Sequence, residues 1–141
     1  MKLTELEKQK IIKIGKKYNL KLILLHGSYV TGKVRYNSDL DIAVLGKKSI
    51  DFKTLLKIYS DLSGVFGNNP ERELDFKSLH KIDPLFCYQV AKYSELLYGN
   101  LLDYNEFRAY AFRAYYDAKD LFKLESLLVS KYQNYLNKKY A

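Results

Sequence analysis

Polar and apolar positions change period several times along the chain, and each change marks an element. Leu6, Ile11 and Ile14 make a partial apolar face behind Thr4-Glu5-Leu6-Glu7, whose spacing is that of a capping box, so a first helix is expected to about Tyr18, with Asn19 ending it. Two short apolar runs follow, Leu22 to Leu25 and Leu40 to Leu45, and both read as buried strands of the parallel type. Helical spacing returns in Phe52, Leu55, Leu56, Tyr59 and Leu62, with Ser49 or Asp51 as cap and Gly64 or Gly67 as the end. Asn68-Asn69-Pro70 makes a turn and Glu71 to Leu79 a third strand. A third helix opens with Asp83 as cap and Pro84 at its first position, and is expected to close at Gly99. Asp103 and Glu106 again have capping-box spacing. Behind them Phe107, Tyr110, Ala111, Ala114, Ala118 and Leu121 form a stripe expected to pack on the domain. The order is alternating α/β, without repeats or a long linker.

The chemistry-bearing residues sit where the first two strands meet. Gly27-Ser28 ends the first run, and Asp39-Leu40-Asp41 opens the second. Side chains alternate along a strand, so Asp39 and Asp41 share one face while Leu40 and Ile42 turn to the core. Two carboxylates so close repel, and Leu40 gives no relief, so a cation is expected between them. Magnesium fits, being held typically by one or two carboxylates plus substrate phosphates. Gly27 lets the backbone approach a phosphate, and the Ser28 hydroxyl can donate to it. A plain strand end with acids facing Lys or Arg would account for either motif alone, but less well for both in order on adjoining strands.

Asp75, between Leu74 and Phe76, is the third candidate acid. If its strand lies beside that of Asp39 and Asp41, it reaches the same metal cluster and can accept the proton of an incoming hydroxyl; otherwise it is an ordinary strand acid answering Arg72 or Lys77. Glu73 shares its face by period two. Lys33 and Arg35 occupy the loop facing the expected triphosphate, either as phosphate contacts or as solvated charge. His26 is expected to be a buried histidine satisfied by backbone and His80 to be solvated in a turn. Neither has a second His or Cys at ligand spacing, which argues against zinc.

Gly27-Ser28-Tyr29-Val30-Thr31-Gly32 followed by Asn37-Ser38-Asp39-Leu40-Asp41-Ile42-Ala43-Val44 resembles the signature of minimal nucleotidyltransferases of the DNA-polymerase-beta superfamily, and within it the MNT antitoxins paired with HEPN ribonuclease toxins. Arg72-Glu73-Leu74-Asp75-Phe76 is similar to the family's third-carboxylate strand, which singles out Asp75 over Glu73. Leu96-Leu97-Tyr98-Gly99 and Phe107 through Asp117 resemble its later helical part, so nearly the whole chain is covered. The Gly-Ser and Asp-x-Asp pair is specific for the superfamily, whereas the C-terminal match is looser and points to the antitoxin branch. One departure stands out: many members carry arginine where Thr31 stands, a phosphate contact that Lys33 or Arg35 would have to replace.

Bulk properties change the picture little. The 141 residues are enough for one domain. No apolar run approaches a membrane span and no leader opens the chain, so a cytosolic protein is expected. Cys87, alone in an apolar stretch, reads as a packed thiol. The net charge of +8 points to an acidic partner: nucleotide, RNA or an acidic protein face. After Leu121 the chain turns tyrosine-rich and basic (Lys131, Tyr132, Tyr135, Lys138, Lys139, Tyr140), a composition that can stack on bases, form a protein interface or remain a frayed tail. Given the resemblance, docking of a protein is favoured over RNA binding.

The expectation is a small mixed sheet with flanking helices and a long C-terminal helix, residues 1–102 as a nucleotidyltransferase core and 103–141 as a helical segment that packs on it and docks a partner. Asp39, Asp41 and Asp75 would hold two magnesium ions, with Asp75 activating the acceptor. Gly27, Ser28, Lys33 and Arg35 would hold the nucleotide. The resemblance further implies that AMP passes from ATP to a tyrosine hydroxyl of a HEPN toxin, silencing it. The alternatives are a non-catalytic antitoxin that occludes the toxin, and transfer to a small molecule or RNA end; the lack of a second substrate domain weighs against a small molecule.

Overall fold

The computed structural model describes residues 1–141. The elements run α1 (Glu5–Lys17), β1 (Leu20–His26), α2 (Ser28–Thr31), β2 (Leu40–Gly46), α3 (Phe52–Phe66), β3 (Leu74–Ser78), α4 (Pro84–Lys92), β4 (Ser94–Tyr98) and α5 (Leu101–Lys139). Local chemistry sets most boundaries. Glu7 N–H donates to the Thr4 hydroxyl while Thr4 N–H donates to the Glu7 carboxylate, closing the expected capping box. Asp51 caps α3, and Asp83 with Pro84 opens α4.

The four strands form one mixed sheet in the order β3-β2-β1-β4. β2 and β3 are parallel, whereas β1 pairs antiparallel with both β2 and β4. The parallel reading of the first two strands is thus corrected. The thirteen residues between them hold only one short helix, α2, and the chain reverses there instead of crossing over. The second correction is β4, which sequence periodicity merges into the preceding helix because Val90, Ala91, Ser94 and Leu97 keep helical spacing. The helix stops at Tyr93, whose backbone leaves the helical region, and the next five residues cover the edge of β1. That strand is apolar on both faces and could not be left open to water.

The sheet separates two cores. Ile23, Leu25, Leu40, Ile42 and Val44 pack against Ile11 and Ile14 of α1 and Ile58, Leu62 and Phe66 of α3. Leu22, Leu24 and Ala43 face Cys87, Val90 and Ala91 of α4 and Phe107 and Ala111 of α5. Leu6, expected on the buried face of the first helix, is exposed, as are Phe52 and Leu56 of α3.

α5 is one helix of 39 residues, about 58 Å long. Its cap is Asn100, which accepts from Asp103 N–H, so the cap lies three residues before the expected Asp103. Only its first part packs on the body. Arg108 donates to the Ala91 carbonyl (2.9 Å) and the Tyr115 ring stacks on Tyr88 with centroids 4.0 Å apart. Tyr110 and Leu121, expected to pack, are exposed, and from Lys119 onward the helix projects as an arm whose Leu124, Leu127, Leu128, Val129, Tyr132 and Tyr135 face solvent. No helix of the chain is long and apolar enough to cross a membrane.

Candidate active site

Strand register brings four polar side-chain positions into one row. Asp75 of β3 is level with Asp41 of β2, Asp41 with His26 of β1, and His26 with Ser94 of β4. Alternation puts Asp41 on the same face as Ala43, the face that carries α4 and α5, while Leu40 and Ile42 enter the other core. Asp39 lies one residue before β2 and is exposed. It is in the loop at the strand entrance rather than on the strand itself, yet period two keeps it on the side of Asp41. The expectation that Asp39 sits on the strand is thus corrected, and the pair that the sheet sets side by side is Asp41 and Asp75.

The charges of the row act on one another. Burial pushes the Asp41 carboxyl up to about 6, and the charges of Asp75 and Asp39 together with a hydrogen bond to Asp75 push the same way, against a small opposing pull from Lys77. Lys77 is the one cation at hand: its Nζ is 4.0 Å from the Asp75 carboxylate and also lies over the Phe86 ring. One lysine beside three carboxylates leaves negative charge uncompensated. That donor set, all oxygen and short of positive charge, fits a hard divalent cation such as magnesium. No three acidic, histidine or cysteine side chains close into a ready cage, so the ion would depend on further oxygens such as nucleotide phosphates.

Gly27 explains how the row stays open. Its φ of 74° is a left-handed conformation, and a Cβ there would run into the Asp41 carboxylate. The Gly27 carbonyl accepts from the N–H groups of Val30 and Thr31 (3.1 Å each), closing the short turn of α2 that Ser28 begins. Ser28 is half-buried beside the row. Lys33 and Arg35 lie exposed on the loop that follows, whose shape is held by Arg35 N–H donating to the Ser38 hydroxyl (2.7 Å). Neither basic side chain is in an ion pair, so the structure does not draw them into the site.

Both histidines depart from expectation, His80 in having a backbone partner and His26 in lacking one. His80 is the one satisfied by backbone, its Nε2 accepting from Gly46 N–H (2.9 Å). His26 has a buried Nε2 without a partner, sits edge-on to Phe86, and is held by burial at a pKa of about 4, hence neutral. Sequence reasoning gave it no role; its signal was its position immediately before the glycine. Ser94, absent from the expected site, has its hydroxyl 2.7 Å from that of Tyr104, which also donates to the Ser94 carbonyl (3.1 Å), so the row is tied to α5. Cys87 is buried as expected, its thiol pushed up to about 11 by burial.

Comparison with known proteins gives concordant results. Residues 9–101 match the family model described as polymerase beta, nucleotidyltransferase. The protein adenylyltransferase MntA of Shewanella oneidensis is 31% identical over 101 residues, 70% of each chain. Among solved structures, a toxin–antitoxin complex with AMP-PNP contains a chain that superposes with a TM-score of 0.69 at 26% identity, covering 89% of this chain and 98% of that one. A structure of a tri-AMPylated Shewanella oneidensis HEPN toxin with an MNT antitoxin superposes with a TM-score of 0.66 at 23% identity, over 93% and 99% of the two chains, which speaks for the fold.

Proposed function

The chain belongs to the polymerase-beta nucleotidyltransferase family, and from that premise we propose that it is an antitoxin that transfers AMP from ATP to a tyrosine hydroxyl of a HEPN ribonuclease toxin. The observation that carries the reading is the level pair Asp41 and Asp75 beside the Gly27 turn, in a chain 31% identical to a protein adenylyltransferase.

Asp41, Asp39 and Asp75 hold magnesium together with the nucleotide phosphates. A magnesium ion held there would supply Lewis-acid stabilisation of the charge that develops on the phosphate oxygens. The Ser28 hydroxyl and the backbone after Gly27 bind phosphate oxygens, with Lys33 and Arg35 close enough in sequence to fold over them. Asp75, at the open side of the row, takes the proton from the acceptor hydroxyl, whose oxygen then attacks the α-phosphorus in line as pyrophosphate leaves. Neutral His26 closes the inner end of the row and keeps Asp41 away from water.

Neutralisation by docking alone has one observation in its favour, the exposed apolar arm of α5. Incubation with a HEPN toxin, ATP and magnesium separates the two readings. Transfer adds an AMP-sized mass to a toxin tyrosine and leaves the toxin silent after the proteins are parted. An unmodified toxin that regains full ribonuclease activity, whichever nucleoside triphosphate is supplied, would falsify the catalytic reading.

A further inference from the structure

β3 is an edge strand, and its outer edge is open. Leu40 N–H donates to the Glu73 carbonyl (2.8 Å) and Leu79 N–H to the Val44 carbonyl (2.8 Å), which fixes the alternation: the odd-numbered residues of β3 turn their backbone groups to β2 and the even-numbered ones turn theirs outward. Leu74 N–H is taken by the Asn68 side chain (3.2 Å). The N–H and carbonyl groups of Phe76 and Ser78 face outward along the rim. β3 is short and carries Asp75 and Lys77, charges that discourage pairing with an arbitrary chain, but it has no proline and no bulge to break a ladder along its outer rim.

Beside this edge runs an apolar groove of about 270 Å³ between α3 and β3, walled by Phe52, Leu55, Leu56, Tyr59 and Phe76. Phe52 is 74% exposed and Leu56 52%, although both belong to the apolar stripe of α3. The stripe is wider than the core it covers, and its surplus lines the groove. On the opposite face of the same strand stands Asp75, its side chain 42% exposed.

These three features share one period, and the geometry points to a docking mode: the acceptor segment of the protein substrate adds to β3 as a fifth strand. The inference rests on the transfer reading above and specifies how that reaction selects its hydroxyl. An added strand pairs its backbone with Phe76 and Ser78, and its side chains alternate between the two faces. The residue level with Asp75 lies on the acid face, at cross-strand contact distance from the proton acceptor. Residues one and three positions away, level with Phe76 and Ser78, lie on the other face and enter the groove. The occupant is thus an extended segment bearing a hydroxyl residue, with apolar residues one and three places along from it. Continuity with the acid row marks the edge as a substrate surface rather than a seam for another copy of the chain, because a pairing that buried Asp75 under a second body would close the site.

The probe is a synthetic seven-residue peptide with a central tyrosine, valine one place on and isoleucine three places on, set against the same peptide with serine at those two places. Full-length wild-type chain, ATP and magnesium should label the first at least tenfold faster, through KM for the peptide and with KM for ATP unchanged. Phe52→Glu/Leu56→Glu, on exposed positions away from the acids, should remove that preference. Amide hydrogen exchange at Phe76 and Ser78 should slow at least tenfold on addition of the apolar peptide, with or without ATP. Equal labelling of both peptides, an unchanged rate in the double variant, or exchange at Phe76 and Ser78 that ignores the peptide would each overturn the strand-addition mode. Labelling of a HEPN toxin by wild-type chain is measured separately. If the toxin is labelled while the peptide tests fail, docking falls and the transfer reading stands.

Discussion

The body and the arm of this molecule solve the placement of apolar residues in opposite ways. In the body, β1 and β2 are apolar on both faces and both faces are covered, by α1 and α3 on one side and α4 and α5 on the other. In the arm, beyond Lys119, leucines and tyrosines are as frequent but face water, and Leu121 is 63% exposed. Burial of an apolar side chain contributes about 1.5–3 kcal/mol, so the body gains its stability from itself while the arm leaves that free energy unused. Self-supplied stability is thereby confined to one part of the chain, and the acid row lies on that side of the division.

The sharpest test of that separation is on the body side. Asp41→Asn should cut nucleotidyl transfer about a thousandfold, from the loss of roughly 4 kcal/mol of metal-dependent stabilisation, while the fold persists. A melt and a transfer assay on the same sample show it, and an unfolded variant would mean that the acids serve structure. Next comes the arm. Ending the chain after Lys119 should weaken binding to the HEPN toxin about a hundredfold, on the scale of a lost hot-spot cluster, and move the melting temperature by no more than about 2 °C. A large drop in melting temperature would return the arm to the body.

A third measurement sharpens the electrostatic side. The Asp41 carboxyl has an ordinary value of 3.8 and a folded value of about 6, so between these the folded chain binds more protons than the unfolded one. Its contribution is fully present below about pH 4 and is lost as pH rises through 6. With allowance for solvent screening of a half-exposed group, the metal-free chain should lose about 1 kcal/mol of stability over that window. Urea titrations across the window should find this slope in the wild type and not in Asp41→Asn; an equal slope in both would assign it to another group. The smallest effect lies at the joint. Asn100→Ala removes the cap of α5, at a cost of about 1 kcal/mol or about 3 °C, without touching transfer.

How far the sequence reveals these regions depends on whether the information is local. Capping residues and the Gly27 turn are local, so α1, α3 and the start of α4 come out correctly, and period two places Asp39 with Asp41. The level pairing of Asp75 with Asp41 depends on which strands adjoin, and there the family resemblance carried what spacing could not. β4 was missed because Ser94 and Leu97 fit a helix as well as a strand, and only the need of β1 for a second neighbour decides between them. The backbone partner of His80 is hidden for the same reason: it is Gly46, thirty-four residues away. The stripe of α5 was read as packed throughout because periodicity reports which residues share a face, not whether anything lies opposite.

The Tyr104 hydrogen bonds to Ser94 fix α5 to the same sheet that carries the acids, and the Tyr88–Tyr115 stack fixes it to α4. A helix does not shorten under load, so the arm and the acid row stand at a set separation, like the jaws of a caliper. If the arm grips the proposed toxin, only a residue that lies one such span from the gripped surface would reach the acids. Choice of acceptor then becomes a matter of length: adding or deleting one full helical turn in α5 between Tyr115 and Lys119 would shift the jaw by about 5 Å without rotating the arm's face much, and with it the residue that is modified.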